Sequence, residues 1–287
     1  MGVTYGAPAM TMLPTSYRPS GLDRINQAGY RQRGARRQFQ AASGWLEAGE
    51  KVAVMSVATE ALGAPILDIG VGGGRTTPLM RAISTDYRGI DYLPEMVAIA
   101  RRRFPDAEFR AMDARQLDFH SGRFALATFS YNGIDSVDLK GRQRVMAEVH
   151  RVLRPGGRFV FSTLNRDTMS RLPHWPDWQV FHGTGLQPAR LFRASAKLVV
   201  GGINHLRGLP LASDDGEVAV ENLAAHNFAL MVVFTSLHRQ IREIHDAGFV
   251  VEAIFTPDGD RIPSDDPDNT DAPWHHFVAR KASGERT

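Results

Sequence analysis

A carboxylate and three alternating glycines stand together in one short stretch of the chain. Asp68 lies in an apolar run, and Gly70, Gly72 and Gly74 follow it. Glycine adopts left-handed backbone conformations readily, and it lets backbone amides approach a ligand without a Cβ in the way. Thr76 then marks a helix start, and a helix N-terminus presents free amide groups to the same place. The stretch therefore predicts a cradle in which the backbone contacts a bound ligand.

The spacing of the glycines indicates which class of ligand the cradle binds. The dinucleotide fingerprint needs a glycine three residues after the second one, and Arg75 stands there. The pattern is instead acidic-x-Gly-x-Gly-x-Gly from Asp68 to Gly74, and with it the sequence resembles the class I S-adenosylmethionine (SAM) dependent methyltransferases. The resemblance implies SAM as the cofactor and S-adenosylhomocysteine as its product. Taken alone, the loop is also compatible with a tight turn in any doubly wound protein.

Two further acidic residues end the next two predicted strands. Asp91 follows the glycines by about twenty residues, where an acidic side chain can accept both ribose hydroxyls. The resemblance implies that Asp113 binds the adenine amino group and that an N-terminal aromatic, Tyr30, closes over the cofactor. Helix capping is the alternative role for either acid. The predicted cofactor-binding residues are Asp68, Gly70, Gly72, Gly74, Thr76, Asp91, Tyr92, Met96, Asp113, Ala114, Ser130 and Tyr30.

The elements that would position these residues alternate regularly between strand and helix. Short apolar strands separated by helical segments indicate βαβ units and a parallel sheet with helices on both faces. We therefore expect an α/β fold with a Rossmann-like, mostly parallel sheet. The resemblance implies seven strands, of which the last runs antiparallel to the rest.

The same pattern divides the chain into three parts. Residues 1–63 are expected to form an arm and helices that close the cofactor site, and residues 64–163 with 236–287 the SAM-binding core. Residues 164–235 are then an insertion that caps the active site and selects the substrate. A dimerisation element is the alternative for this insertion, so a homodimer stays open.

Methyl transfer from a sulfonium depends on holding the acceptor in line and excluding water. A hydroxyl or acidic-carbon acceptor also gains from a general base, and histidine titrates near neutrality. The candidate catalytic residues are His182, His226 and Tyr131. The candidate substrate-binding residues are Tyr131, Asn132, Asp135, Trp175 and Trp178. Nucleic-acid amino methylases of the resembled family carry Asn/Asp-Pro-Pro-Tyr/Phe where this chain has Ser-Tyr-Asn-Gly at 130–133. This departure favours a small-molecule substrate, for which natural-product biosynthesis is one setting.

The amino-acid composition excludes several kinds of site and binding partner. The absence of cysteine excludes disulfides, thiolate metal sites and a cysteine nucleophile, and the net charge of +3 alone implies no nucleic-acid partner. The sequence shows no membrane-spanning run or signal peptide, so we expect a cytoplasmic protein without a membrane partner. The acidic loop at 264–271 fits no metal motif, and no metal is expected. An RNA methyltransferase, suggested by the arginines at 31–37, and a non-catalytic SAM-binding regulator are the alternatives.

Overall fold

The structure is a computed structural model that describes residues 20–32, 45–171, 187–263 and 270–282. The helices are α1 Gly21–Tyr30, α2 Ala48–Met55, α3 Ala58–Ala61, α4 Thr77–Ile83, α5 Pro94–Arg103, α6 Leu139–Val152, α7 Pro188–Gly208 and α8 Leu237–Asp246. The strands are β1 Ile66–Ile69, β2 Tyr87–Asp91, β3 Glu108–Ala111, β4 Phe124–Phe129, β5 Leu153–Leu164, β6 Ser213–Asp214, β7 Val218–Leu223, β8 Leu230–Thr235, β9 Phe249–Phe255, β10 Arg261–Ile262 and β11 Trp274–Lys281.

The main sheet has the order β10-β9-β11-β5-β4-β1-β2-β3. Neighbouring strands from β3 to β5 pair in parallel, and β11 runs antiparallel to both β5 and β9. The predicted α/β class, the mostly parallel sheet and the antiparallel last strand are confirmed. The predicted count of seven strands is one too low for the described residues. The eighth strand, β10, forms because the chain reverses after β9 in a turn where the Thr256 amide donates to the Asp260 carbonyl at 2.9 Å.

The central strands are buried on both faces, as their apolar composition requires. Every residue of β1 and of β4 is buried. Two apolar clusters cover the sheet, one containing residues of α6 and α8 and the other residues of α2, α4 and α5. The sheet thus brings the carboxyl ends of β1, β2, β3 and β4 to one edge, which is where ligands bind in open α/β sheets.

Helices α1, α2 and α3 precede β1. The capping box that opens α1 is present, with Ser20 and Asp23 each bonding the other's backbone amide. The chain before β1 forms two separate helices, α2 and α3, because the backbone at Val57 leaves helical geometry (φ −122°). The basic run at 31–37 lies outside the described residues from position 33 onward.

The insertion has its own small sheet. Strands β6, β7 and β8 pair antiparallel, and the long helix α7 precedes them. Strand β8 returns to the core, where Thr235 forms a bridge with Asn165 just after β5. Within the part of the chain that the structure describes, no helix is both long and apolar enough to cross a membrane.

One buried side chain fastens α1 to both the core and the insertion. The Asn26 amide nitrogen donates to the Met231 carbonyl at 2.8 Å and to the Ser136 carbonyl at 2.9 Å, and its oxygen accepts from the Met231 amide at 2.8 Å. Gly29 lies on the same face, and a Cβ there would stand 2.4 Å from the Ala229 carbonyl oxygen. Helix α1 is therefore seated by close backbone approach and by hydrogen bonds that a carboxamide alone supplies.

Replacing Asn26 by alanine is expected to lower the free energy of unfolding by about 2 to 3 kcal/mol, because three buried backbone groups lose their partner. Urea denaturation measures this loss, and hydrogen exchange at the Met231 amide should become faster. Gln27→Ala removes a carboxamide from the next position of the same helix and is the matched control. Equal stability of the two variants would contradict the role assigned to Asn26.

Candidate active site

The glycine loop leaves β1 in a conformation that side chains resist. Gly70, Gly72 and Gly74 have φ values of +66°, +53° and +83°. A Cβ on Gly70 would stand 2.7 Å from the Phe129 ring, and one on Gly74 would stand 2.7 Å from the Phe104 ring. Both the backbone angles and the close neighbours therefore require glycine, and the loop presents bare backbone at the carboxyl end of the central strand.

Asp91 joins this loop to the end of β2. Its Oδ2 accepts the Gly72 amide at 3.0 Å, and its Oδ1 accepts the Leu93 amide at 2.9 Å. Burial raises the pKa of the Asp91 carboxyl to about 6, although both amide bonds lower it. Each oxygen keeps a second lone pair, so this carboxylate can accept two further hydroxyl donors beside the glycine loop.

Asp68 supports the loop from inside the protein. It is 1% exposed, and its carboxylate accepts from Thr76 Oγ1 at 2.6 Å, the Tyr87 hydroxyl at 2.9 Å and Thr128 Oγ1 at 3.0 Å. Burial raises its pKa, against the lowering effect of these three donors. The two side chains of Asp68 and Thr76 bind each other and shape the loop, and their predicted contacts with the cofactor stay predictions.

Asp113 follows β3 and lies next to Asp91, because the Met112 amide donates to the Asp91 carbonyl at 3.0 Å. Its carboxylate binds Arg115, with Nη2 2.7 Å from Oδ2, and Arg115 reaches on to Asp23 of α1 at 2.9 Å. The structure therefore brings Asp113 and the partly buried Ala114 to the predicted adenine side of the site. In the structure the Asp113 side chain binds Arg115 and, through it, α1. Its role as an adenine ligand stays a prediction.

Aromatic side chains stand beside Asp91. Tyr30 of α1 packs edge-on against Tyr92 with ring centroids 6.5 Å apart, and Met96 belongs to the same apolar cluster. The Tyr30 hydroxyl bonds Ser136 at 2.7 Å, and burial raises its pKa to about 12, so it stays a neutral phenol. Tyr30 thus lies beside the residue that follows Asp91, and its predicted closure over the cofactor stays a prediction.

A cluster that the sequence did not reveal lies against the other side of the glycine loop. Arg75 forms a paired ion bridge to the buried Glu50, at 2.5 and 2.7 Å, and donates to the Trp45 carbonyl at 3.0 Å. Its guanidinium stands 5.1 Å from the Tyr131 ring centroid and 5.7 Å from that of Trp45. The one sign of this cluster in the sequence is Arg75 itself, which occupies the position of the third glycine of the dinucleotide fingerprint. Its ion pair and ring contacts hold the chain at Trp45 and the start of α2 against the glycine loop.

The turn after β4 is strained. Tyr131 and Asn132 both have positive φ, at +53° and +55°, and the Asn132 amide donates to Ser162 Oγ at 2.8 Å. The Asn132 Oδ1 atom is buried and has no hydrogen-bond partner in the structure. Ser130 and Tyr131, half-exposed at 47%, lie at the carboxyl end of β4 beside the glycine loop. This turn thus offers the site an unused buried acceptor and an aromatic face.

Comparison with known proteins fits this geometry. A family model described as a methyltransferase domain matches residues 66–157, which run from β1 into β5. A SAM-dependent methyltransferase structure from Methanosarcina mazei superposes with a TM-score of 0.52 at 18% identity, covering 80% of this chain and 98% of that one. Residues 66–157 of this chain therefore match a methyltransferase domain, and the described fold is that of a SAM-dependent methyltransferase structure.

The curated relatives of this chain are named for different compounds. Demethylmenaquinone methyltransferase of Beutenbergia cavernae is 32% identical over 127 residues, which are 44% of this chain and 48% of that one. Phosphatidylethanolamine N-methyltransferase of Cereibacter sphaeroides is 36% identical over 108 residues, 35% of this chain and 50% of that one. The chain thus spans about half the length of the curated relatives that it matches. A structure of Burkholderia thailandensis 1,6-didemethyltoxoflavin-N1-methyltransferase, with its substrate and S-adenosylhomocysteine bound, superposes with a TM-score of 0.50 at 17% identity over 82% of this chain and 79% of that one.

Asp135 lies in the core of the protein. It is fully buried and accepts from Arg142 Nη1, from Thr163 Oγ1 at 2.6 Å and from the Leu164 amide at 2.7 Å. These bonds use the carboxylate for structure, and the predicted substrate contact of Asp135 is corrected accordingly. The sequence placed it after β4 rightly, but the basic partner comes from α6 and was not foreseen.

Of the two histidines that are candidate bases, only His226 lies within the described residues. His226 begins three consecutive residues with positive φ, followed by Asn227 and Phe228, and its ring lies 6.4 Å from that of Tyr30. Burial lowers the pKa of His226, which favours the neutral imidazole that a base requires. His182, Trp175 and Trp178 lie outside the described residues, and their predicted roles stay predictions. Across residues 20–32, 45–171, 187–263 and 270–282, no group of three His, Asp or Glu side chains is arranged to hold a metal ion.

Proposed function

We propose that this chain transfers a methyl group from SAM to an oxygen, nitrogen or carbon atom of a small-molecule metabolite. The observation that carries the proposal is the bond between the Gly72 amide and Asp91 Oδ2, at 3.0 Å. It joins a glycine cradle, which no side chain could line, to a carboxylate with two free lone pairs. That combination fits an adenosyl group, with backbone against the amino-acid portion and Asp91 on the ribose hydroxyls.

The residues around the cradle have distinct tasks in this proposal. When bound, SAM supplies a methyl group made electrophilic by its sulfonium. Tyr30, Tyr92 and Met96 would border the adenine, and the Tyr131 and Trp45 rings would keep water from the reacting end. Methyl transfer gains most from orientation, so the protein's main contribution is to hold the acceptor in line.

The acceptor class is inferred from two features. The loop at 130–133 lacks the Pro-Pro segment of nucleic-acid amino methylases, and Asn132 Oδ1 offers one buried acceptor that a small polar substrate can satisfy. Relatives named for demethylmenaquinone and for a toxoflavin precursor support a small cyclic substrate. His226, neutral and near Tyr30, is the candidate base where the acceptor is a hydroxyl or an acidic carbon.

Two measurements test the proposal. Calorimetric titration with SAM and with S-adenosylhomocysteine is expected to give one site per chain. Incubation with labelled SAM and a panel of quinols, phenols, heterocyclic amines and RNA is expected to transfer label to a small molecule. Absence of SAM binding at millimolar concentration would refute the cofactor assignment. Label on RNA alone would refute the substrate class, and binding without transfer to any acceptor would favour a non-catalytic role.

A further inference from the structure

Helix α7 packs on the rest of the protein through its smaller and more polar face. Its buried residues include Gly201, Asn204 and Gly208. A Cβ on Gly208 would stand 2.3 Å from Asn222 Oδ1, and Asn204 Nδ2 donates to the Asn227 carbonyl at 3.0 Å. Close backbone approach and polar hydrogen bonds therefore hold the inner face of α7 against the rest of the protein. The large apolar side chains of α7 lie on other faces of the helix.

Those side chains form a continuous stripe on the opposite face, which we call the outer stripe. It consists of Phe192, Ala196, Val199, Ile203 and Leu206, at alternating spacings of four and three residues that keep one line along a helix. The exposed fractions of Phe192, Val199, Ile203 and Leu206 are 75%, 61%, 45% and 57%. Soluble surfaces seldom carry so long an apolar row without an occupant.

The charges beside the outer stripe indicate what that occupant is. Helix α7 contains no aspartate or glutamate, and its exposed Arg193 and Arg207 flank the outer stripe, whereas the exposed Arg190 and Lys197 lie towards the inner face. A second copy of α7 packed along the stripe would bring these cations against their own kind, and the helix has no acid to pair with them. A convex apolar row with basic residues beside it matches an anionic lipid surface, which supplies both an apolar layer and phosphate headgroups.

We propose that α7 docks this protein on membranes that contain anionic lipid, with the outer stripe at the level of the acyl chains and the neighbouring cations at the headgroups. The proposal goes beyond methyl transfer and does not depend on it. It differs from the sequence-based expectation of no membrane partner, which rested on the lack of a spanning run, because peripheral docking needs no spanning segment.

Co-sedimentation of the full chain with vesicles tests the docking. Vesicles of phosphatidylcholine with one-third phosphatidylglycerol are expected to bind the protein about tenfold more tightly than phosphatidylcholine alone, with weaker binding as salt is raised. Val199→Ser combined with Ile203→Ser is expected to lower binding about tenfold or more. Arg193→Gln with Arg207→Gln should remove most of the preference for anionic lipid. Leu62→Ser, at a residue 71% exposed outside α7, is the matched control and should bind as wild type does.

Three results would overturn the proposal. One is a wild-type chain that does not sediment with anionic vesicles. The second is a lipid-free dimer that the Val199→Ser, Ile203→Ser variant converts to monomer, because the stripe would then bind a second copy. The third is a clear fall in the melting temperature of that variant, because the stripe would then be covered by another segment of the same chain. An unchanged melting temperature together with lost vesicle binding supports membrane docking.

Discussion

Asp91→Ala is expected to weaken SAM binding by about 100-fold. Two hydroxyl bonds to a carboxylate contribute about 1.5 kcal/mol or more each, and the variant loses both. It also releases the Gly72 amide, which Asp91 Oδ2 holds at 3.0 Å, so the cradle itself loosens. Calorimetric titration measures the loss. Asp106→Ala, at an exposed acid outside the site, is the matched control and should bind SAM as wild type does. Equal affinity of Asp91→Ala and wild type would contradict the assigned site.

The pH dependence of binding gives the same assignment a second test. Burial raises the pKa of the Asp91 carboxyl from 3.8 to about 6, so the ligand-free protein holds a proton there below pH 6. Ribose hydroxyls need the ionised form, and SAM affinity should therefore rise through pH 6 and level off above about pH 7. Titration at pH 6 in two buffers of different ionisation enthalpy should detect proton release. Asp91→Asn should remove both effects.

The effect of Asp91 on stability has the opposite sign. A folded pKa above the unfolded one means that the folded chain binds the proton more tightly. The ionised carboxylate therefore costs stability above pH 6, and this cost diminishes as pH falls from about 6 towards 3.8. Comparing the unfolding free energy of wild type with that of Asp91→Asn across this window separates the two effects. Binding and stability changing in the same direction would argue against a carboxylate that contacts SAM.

The parts of the site that the sequence predicts are those that depend on local chain geometry. A strand, alternating glycines and a helix start are contiguous, so the cradle at Gly70–Gly74 follows from neighbours in sequence. Asp91 and Asp113 follow almost as directly, because parallel strands that are successive along the chain end at the same edge of the sheet. The α/β class rests on the same regular alternation, whereas the antiparallel last strand is what the resemblance to class I methyltransferases implies.

What the sequence does not predict depends on partners that are distant along the chain. Arg75 meets Glu50 and Trp45 only because α2 folds back over the glycine loop. Asp68 looks like a ligand-facing acid until Thr128, sixty residues later, is seen to donate to it. Asp135 likewise stands at a strand end where substrates bind, and only the fold shows that its carboxylate points inward.

The buried pair of Arg142 and Asp135 is expected to be the most sensitive charged site in the core. Arg142 is 1% exposed and Asp135 is fully buried, and Arg142 Nη2 also donates to Gln240 Oε1 at 2.6 Å. Thr163 completes the network from β5. Helices α6 and α8, strand β5 and the turn after β4 thus meet at one guanidinium.

Arg142→Met should lower the free energy of unfolding at pH 8 by about 3 to 5 kcal/mol, because it leaves a buried carboxylate without a counter-charge. Burial already raises the pKa of Asp135 to about 6 in the presence of Arg142, which lowers it, so removing the arginine raises it further above the unfolded 3.8. The folded variant therefore binds a proton more tightly than the unfolded chain, and its stability should rise as pH falls from 8 to 5.5. Urea denaturation at both pH values measures the difference.

The double variant Asp135→Asn, Arg142→Met separates the charge from the packing. With no carboxylate to protonate at position 135, it should lose most of the extra pH dependence and recover part of the stability at pH 8. A single Arg142→Met variant as stable as wild type at pH 8 would contradict the structural role of the pair. Because the same carboxylate accepts the Leu164 amide at 2.7 Å, the pair also fixes how β5 leaves the sheet next to the Tyr131–Asn132 turn.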